Sequence, residues 1–130
     1  MAGKRTALKH ARELQLAVVD LARRLHLEAR EEVRVGRRLW GSERKIDVVV
    51  TQRESRRSLG LECKFQAVGG SAEEKIPSTI ADIGAWPIPG LVVFSGDGFS
   101  SNMRSYLVST GKAVDLEDLE SWLRLFFGID

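Results

Sequence analysis

This chain has little of what several classes of protein require. Its single cysteine, Cys63, excludes an internal disulfide, which agrees with a reducing compartment. No apolar run reaches the roughly 20 residues of a membrane helix, and the charged start Met1–Arg5 differs from a signal peptide. The only histidines, His10 and His26, lie too far apart along one predicted helix to bind one ion together. We therefore expect a cytoplasmic protein without a histidine-based metal site.

No sequence feature divides the chain into parts. It lacks internal repeats, low-complexity tracts and long linkers, and 130 residues suit one domain of ordinary size. Hydrophobic residues make up 43% and charged residues 29% of the chain, which is typical of a globular protein with a buried core. The sequence predicts a single domain over residues 1–130.

The charge is unevenly distributed, although the net charge is only +2. Residues 1–64 contain 16 Lys and Arg against 9 Asp and Glu, whereas the remainder contains 4 against 9. Contacts from Lys and Arg to phosphate supply much of the sequence-independent affinity for nucleic acid. For any single arginine a solubilising surface charge is the better explanation, so the argument for a polyanionic partner depends on clustering.

Periodicities in the sequence predict an α/β fold, a mixed sheet flanked by helices. Apolar residues three and four apart indicate an amphipathic helix from Arg5 to about Arg30, and alternation indicates a strand over Glu32–Trp40. The apolar run Leu91–Phe94 is typical of a buried central strand, which pairs in parallel because a helix precedes it. Further predicted elements are strands around Asp47 and Glu62, a helix opened by a capping box at Ser71–Glu74, a helix over Ser101–Thr110 closed by Gly111, an edge strand at Ala113–Val114 and a last helix capped by Asp115.

Two acids and a lysine occur on adjacent predicted strands. Glu62 and Lys64 point the same way, because strand side chains alternate between faces. The short polar link after Thr51 favours a hairpin that places Asp47 near Glu62. Two carboxylates with open positions suit Mg²⁺, which keeps several waters. Lys64 can stabilise charge on a phosphate or help to deprotonate water.

An ordinary explanation competes with this one. Charged residues are common on the open face of an antiparallel strand, so Glu62 and Lys64 can be solvated neighbours. The position of Asp47 favours a metal site. This residue directly precedes the apolar run Val48–Val50 and so lies beside buried surface, where an uncompensated charge is costly.

With these residues the chain resembles the PD-(D/E)XK nuclease superfamily, which has a restriction-endonuclease-like fold. Asp47 stands for the first acid of the motif, Glu62 for the second and Lys64 for the lysine, with Ile46 in place of the proline. The order of elements is also similar: a leading helix, a hairpin with the motif, a helix and a further strand. The resemblance spans most of the chain.

The resemblance implies a Mg²⁺-dependent DNA endonuclease of resolvase, homing or minimal restriction type, with Mn²⁺ as a substitute ion. Asp47 and Glu62 would bind the ion together with the Cys63 carbonyl, and Lys64 would orient or activate water. In the superfamily, a polar residue at the position of Gln66 helps to position water or phosphate.

Further predictions remain open at this point. A glutamate of the first helix assists the metal site in several families of the superfamily, which makes Glu13 a candidate, although a solvated helix glutamate is the better explanation of this residue alone. Cutting both strands of a duplex requires two sites, so a homodimer or larger symmetric assembly is expected, with Trp122, Phe126 and Phe127 as contact candidates. The alternative function is a nuclease-like module that binds nucleic acid or regulates a partner without cutting.

Overall fold

The computed structural model describes residues 2–37, 43–66, 76–96 and 98–130, with side chains described over 11–36 in the first of these ranges. The helices are α1 (Ala2–Arg24), α2 (Ile76–Ile83), α3 (Ser101–Thr110) and α4 (Leu119–Phe127), and a 3-10 turn covers Leu116–Asp118. The strands are β1 (Glu28–Arg37), β2 (Glu43–Gln52), β3 (Arg57–Phe65), β4 (Gly90–Ser95) and β5 (Ala113–Asp115). The predicted capping box at Ser71–Glu74 lies outside the described residues.

The strands form one mixed sheet in the order β1-β2-β3-β4-β5. β1, β2 and β3 make an antiparallel meander, whereas β4 runs parallel to β3 and β5 runs parallel to β4. This arrangement confirms the predicted α/β fold and the parallel pairing of the Leu91–Phe94 strand. The predicted helix over Ser101–Thr110 is also confirmed, and Gly111 closes it with a left-handed φ of 68°.

One face of the sheet packs against α1 and α4. Leu59 and Leu61 of β3 are fully buried there, and Cys63 and Phe65 pack partly buried against the same cluster. The alternate residues of β3 therefore face the opposite side, as the sequence predicts. Leu123 of α4 is among the fully buried members of this core.

The opposite face is covered by α2, α3 and the segment after α2. Gly60 of β3 and Gly90 of β4 are direct neighbours in the parallel ladder, and the Trp86 ring lies over both. A Cβ atom on Gly60 would come within 2.7 Å of Trp86 Cζ3. Two adjacent glycines thus provide the space in which this indole, only 8% exposed, packs against the backbone.

The first helix is shorter than predicted. The sequence favoured a helix to about Arg30, but α1 ends at Arg24 and β1 already begins at Glu28. His26 adopts a left-handed φ of 63°, and the N–H groups of His26 and Leu27 donate to the carbonyls of Arg23 and Ala22. This is a Schellman-type end with histidine in the position that glycine usually takes, so the sequence carries no glycine signal there.

Candidate functional site

The candidate site lies where strands β2 and β3 separate. Their ladder runs from Gln52↔Arg57 to Val48↔Leu61, and the next step brings Asp47 opposite Glu62. Beyond Asp47 and Glu62, β2 stays paired with β1, and β3 stays paired with β4. The N–H of Cys63 donates to Asp47 Oδ2 at 2.9 Å, which fixes the aspartate at the point of separation. The fold therefore brings together the two acids that the sequence predicts to be close.

A change of face occurs at the same place in β2. Val48 and Val50 pack on the α1 side, but Ile46 packs on the other side with Trp86. In β1, Glu32 lies between the pairs Glu31↔Val48 and Val33↔Ile46, opposite Asp47, and its φ is 52°. A left-handed glutamate inside a strand is uncommon. The sequence gives no signal for this distortion, because Ile46, Val48 and Val50 follow an unbroken alternation.

The two carboxyl groups influence each other. The pKa of Glu62 rises from its ordinary value of 4.5 to about 7, mainly because the side chain is buried and secondly because the Asp47 charge is near. Lys64 acts in the opposite direction, with Nζ 3.8 Å from Glu62 Oε2. The other oxygen, Oε1, is buried and has no hydrogen-bond partner among the described residues. Glu62 Oε1 is thus a buried acceptor that lacks a donor among the described residues, although Lys64 lies beside the other oxygen.

Cys63 lies between these groups in sequence but faces the other way. Its side chain packs against the α1 and α4 core, and burial raises the pKa of the thiol, with further contributions from Asp47 and Glu62. The thiol therefore stays protonated at neutral pH and is not a thiolate ligand. The part of the Cys63 backbone carbonyl in a metal site stays a prediction.

Gln66 follows Lys64 by two positions and is only 6% exposed. Its Nε2 donates to the carbonyl of Gly98 at 2.9 Å, and its Oε1 has no partner among the described residues. Polar groups buried to this degree are normally paired. Gln66 is thus held firmly beside the predicted site.

Glu13 lies on the α1 side of the sheet. It lines a cavity of about 220 Å³ together with Phe65, Ser95 and further residues of α1 and the 3-10 turn. The side chain is exposed. Phe65 is the neighbour of Lys64 on the opposite face of β3, so Glu13 lies near the same end of this strand as Lys64. Its part in the site stays a prediction.

The arginines of the β2–β3 turn lie away from the acids. Gln52 lies five positions along β2 from Asp47, a distance of about 17 Å. Arg57 donates to the Phe126 carbonyl at 2.6 Å, and Arg53 pairs with Glu28 at 2.7 Å. The arginines of this turn therefore do not belong to a basic cluster beside the acid pair.

Other basic residues are closer to Asp47. Arg34 and Lys45 face each other across β1 and β2, two residues beyond it, and both are exposed. Each lies near Glu43, at 3.3 Å and 3.9 Å. Arg44, by contrast, is half-buried and pairs with Asp82 of α2 at 3.2 Å.

The aromatic residues of α4 serve its own packing. Phe127 is 4% exposed and belongs to the core, so the prediction that it takes part in a contact between copies is wrong. Trp122 and Phe126 stack with ring centroids 5.2 Å apart, and the Arg57 guanidinium lies 4.3 Å from the Phe126 centroid. Leu125, 85% exposed, is the large apolar residue of α4 that projects outward.

The donors at the separation point suit a hard divalent cation with open coordination positions. Glu62 Oε1 is a buried oxygen without a partner among the described residues, and a cation beside it would offset the repulsion from Asp47. In the part of the chain that the structure describes, no three His, Cys, Asp or Glu side chains gather into a metal-binding group. Two carboxylates are sufficient for Mg²⁺, since this ion usually binds one or two protein carboxylates and completes its coordination shell with water and phosphate.

Comparisons with known proteins agree with the geometry. A family model described as a PD-(D/E)XK nuclease superfamily domain matches residues 5–124. No curated protein matches the chain. The crystal structure of AF1548, a protein of unknown function, is similar in fold, with a TM-score of 0.53 and 20% sequence identity. That match covers 75% of this chain and 54% of the other, so this chain spans about half of its length.

None of the helices in the described ranges is long and apolar enough to cross a bilayer.

Proposed function

The chain belongs to the PD-(D/E)XK nuclease superfamily, and from this premise we propose that it is a Mg²⁺-dependent DNA endonuclease that hydrolyses phosphodiester bonds. The observation that carries the proposal is the convergence of Asp47, Glu62 and Lys64 at the separation of β2 from β3. Members of this superfamily generally use divalent metals, and Mn²⁺ would serve as a substitute ion.

Asp47 and Glu62 would hold the ion, with the Cys63 carbonyl as a third oxygen donor. When bound, the ion supplies positive charge that stabilises the negative charge developing on the phosphate. It would also offset the Asp47 charge, which after burial is the second cause of the raised pKa of Glu62.

Lys64 supplies the third element of the chemistry. Its ammonium group lies 3.8 Å from Glu62 Oε2, which keeps the side chain on the face of the acids. From there it can stabilise charge on a phosphate oxygen or orient the attacking water. A half-buried position, with 29% of the side chain exposed, strengthens these interactions relative to those in bulk water.

DNA would reach the acids along the β1–β2 ribbon. Arg34 and Lys45 are exposed two residues beyond Asp47, so they lie where a phosphate backbone entering the site would pass. Such contacts add affinity that falls with salt concentration. Glu13, on the α1 side, would assist from the end of β3 at which Lys64 lies.

Cleavage of both strands would require two copies of the site, and we propose a symmetric homodimer. Leu125, together with the partly exposed faces of Trp122 and Phe126, is the α4 surface available for that contact.

Plasmid cleavage in Mg²⁺ tests the function. The wild-type protein should nick or linearise DNA, Asp47→Asn and Lys64→Ala should lose most of this activity, and Glu54→Gln, at the exposed β2–β3 turn, should cut normally. Undiminished cleavage by Asp47→Asn would reject the assignment of the site. DNA binding by a wild-type protein that never cuts would instead show the non-catalytic alternative.

A further inference from the structure

Arg44 and Asp82 form an ion pair on the face of the sheet that carries Glu62 and Lys64. Arg44 lies near the start of β2, and Asp82 belongs to α2, which covers this face. Ile46, two positions after Arg44, is buried on the same face. Glu62 and Lys64 alternate with residues that pack on the α1 side, so they point to the α2 side as well. A cation of β2 therefore shares a face with the second acid and the lysine.

The geometry of this ion pair is poor for a stabilising contact. The two side chains are 21% and 22% exposed, and Arg44 Nε lies 3.2 Å from Asp82 Oδ1. Nε is nevertheless buried without a hydrogen bond among the described residues, so the attraction is electrostatic alone. Removing two charges from water costs free energy that well-aligned hydrogen bonds are needed to offset. Fastening α2 to β2 is therefore an incomplete explanation of this arginine.

The contact with Asp82 engages one side of the guanidinium group. Arginine carries five N–H donors in a planar fork, and four of them are on Nη1 and Nη2. Asp82 approaches Nε, the remaining donor. The fork matches the oxygens of a phosphate group, which makes arginine the preferred residue for phosphate recognition. Asp82 thus holds the guanidinium from the Nε side, and the Nη groups lie outside this contact.

Two cations lie on the strands that border the gap between β2 and β3. Lys64 follows Glu62 by two positions on β3, about 7 Å along the strand, and Arg44 precedes Asp47 by three positions on β2, about 10 Å. Because the two strands are antiparallel, both cations lie beyond the point of separation. A DNA backbone that enters this gap therefore meets one cation on each strand.

We propose that Arg44 binds a phosphate that flanks the scissile one, and that Asp82 positions its guanidinium group. The inference rests on the proposed nuclease function and goes beyond it, since neither residue belongs to the motif of two acids and a lysine. Arg44 touches the substrate, whereas Asp82 acts through Arg44.

Arg44→Met tests the contact, because methionine keeps an unbranched side chain and removes the charge. Binding of a short fluorescent DNA duplex is measured by anisotropy in a chelator, so that no cleavage occurs. We expect Arg44→Met to raise the Kd about 10- to 100-fold at about 50 mM salt. The ratio of its Kd to that of wild type should fall about 3- to 4-fold by about 200 mM salt, because the loss of one phosphate contact lowers the salt dependence.

Arg53→Met is the matched control for the loss of an arginine. Arg53 also pairs with a carboxylate, that of Glu28 at 2.7 Å, but at the far end of the hairpin. This variant should leave both the Kd and its salt dependence unchanged.

Asp82→Asn separates a phosphate contact from a purely structural ion pair. It breaks the pair and keeps the arginine, so the salt dependence should stay that of wild type, with a smaller rise in Kd than in Arg44→Met. The double variant, Arg44→Met with Asp82→Asn, leaves no unpaired carboxylate at this position. It should show the reduced salt dependence of Arg44→Met even if the single variant does not fold.

Three results would overturn the proposal. One is an equal loss of affinity in Asp82→Asn and Arg44→Met with the wild-type salt dependence in both, which would assign the pair to the packing of α2. Another is a wild-type Kd in folded Arg44→Met, as checked by its thermal unfolding. The third is a wild-type protein that does not bind the duplex.

These binding measurements require no cleavage, so they separate the proposal from the function on which it rests. A wild-type protein that binds DNA through Arg44 and never cuts it in Mg²⁺ would reject the nuclease function and support the phosphate contact. Normal plasmid cleavage together with a wild-type Kd in Arg44→Met would support the function and reject the contact.

Discussion

Replacing Glu62 with glutamine should stabilise the metal-free protein in a pH-dependent way. The side chain is mostly buried beside Asp47, and its pKa rises to about 7 from an ordinary value of 4.5. Between these two values the unfolded chain has released the proton and the folded chain still holds it. Folding therefore becomes less favourable as pH rises through this window.

The magnitude follows from the same two values. Each tenfold change in acidity corresponds to about 1.4 kcal/mol, so ionised Glu62 destabilises the metal-free fold by roughly 3 kcal/mol at pH 8. This cost is absent below pH 4.5 and complete above about pH 7. Glutamine has a similar shape and no charge, so Glu62→Gln should match wild type at low pH and exceed it at high pH.

Urea unfolding in a chelator, at intervals from pH 4 to pH 8, measures this difference. The free energy of unfolding of Glu62→Gln minus that of wild type should grow steadily with pH, whereas the exposed control Glu54→Gln should show no such trend. A constant difference across the range would refute the reasoning, because it would show that Glu62 is ionised equally in both states.

Three further predictions follow from the packing and the acids. About 10 mM Mg²⁺ should raise the free energy of unfolding of wild type by roughly 1.4 kcal/mol if the dissociation constant is near 1 mM, and an equal gain in Asp47→Asn would disprove binding at this carboxylate. Gly60→Ala should cost about 1–3 kcal/mol, because its Cβ would lie 2.7 Å from the Trp86 ring, and unchanged thermal unfolding would contradict this packing. On α4, Leu123→Ala should cost about 2–5 kcal/mol, whereas Leu125→Ala, 85% exposed in the wild type, should be nearly neutral in the same urea assay.

The strand pattern around the motif was readable from the sequence because it depends on neighbours in the chain. Alternation predicted that Glu62 and Lys64 share one face of the strand and that Leu61 lies on the other, and the structure agrees. The short link to β2 likewise predicted a hairpin. These are local properties of an extended backbone, and no distant contact is needed to fix them.

The error in the predicted end of α1 has a cause that the local pattern does not contain. The apolar spacing of α1 continues through Leu25, so it favours a longer helix, but a left-handed His26 ends the helix first. A glycine there would have marked the end. The residue that takes this conformation was decided by the packing of the following strand, with Leu27 and Ala29 buried in the α1 core.

Charge was the least informative feature of the sequence. The basic half includes Arg53 and Arg57, whose partners are Glu28 and the Phe126 carbonyl at the far end of the hairpin. Counting charges along the chain cannot separate them from Arg34 and Lys45, which lie near Asp47. Proximity to the acids depends on the register in which the strands pair, and a count of charged residues does not contain this information.

The sequence by itself determined the α/β fold, the parallel strand and the residues of the acid pair, because periodicity and residue type are written along the chain. Only the tertiary structure decided that β2 and β3 separate at Asp47, that Ile46 changes face, and that the Gln66 side chain donates to the Gly98 carbonyl. Each of these depends on contacts between residues that are distant in sequence. Such contacts depend on the packing of the whole molecule, and a local sequence pattern does not predict them.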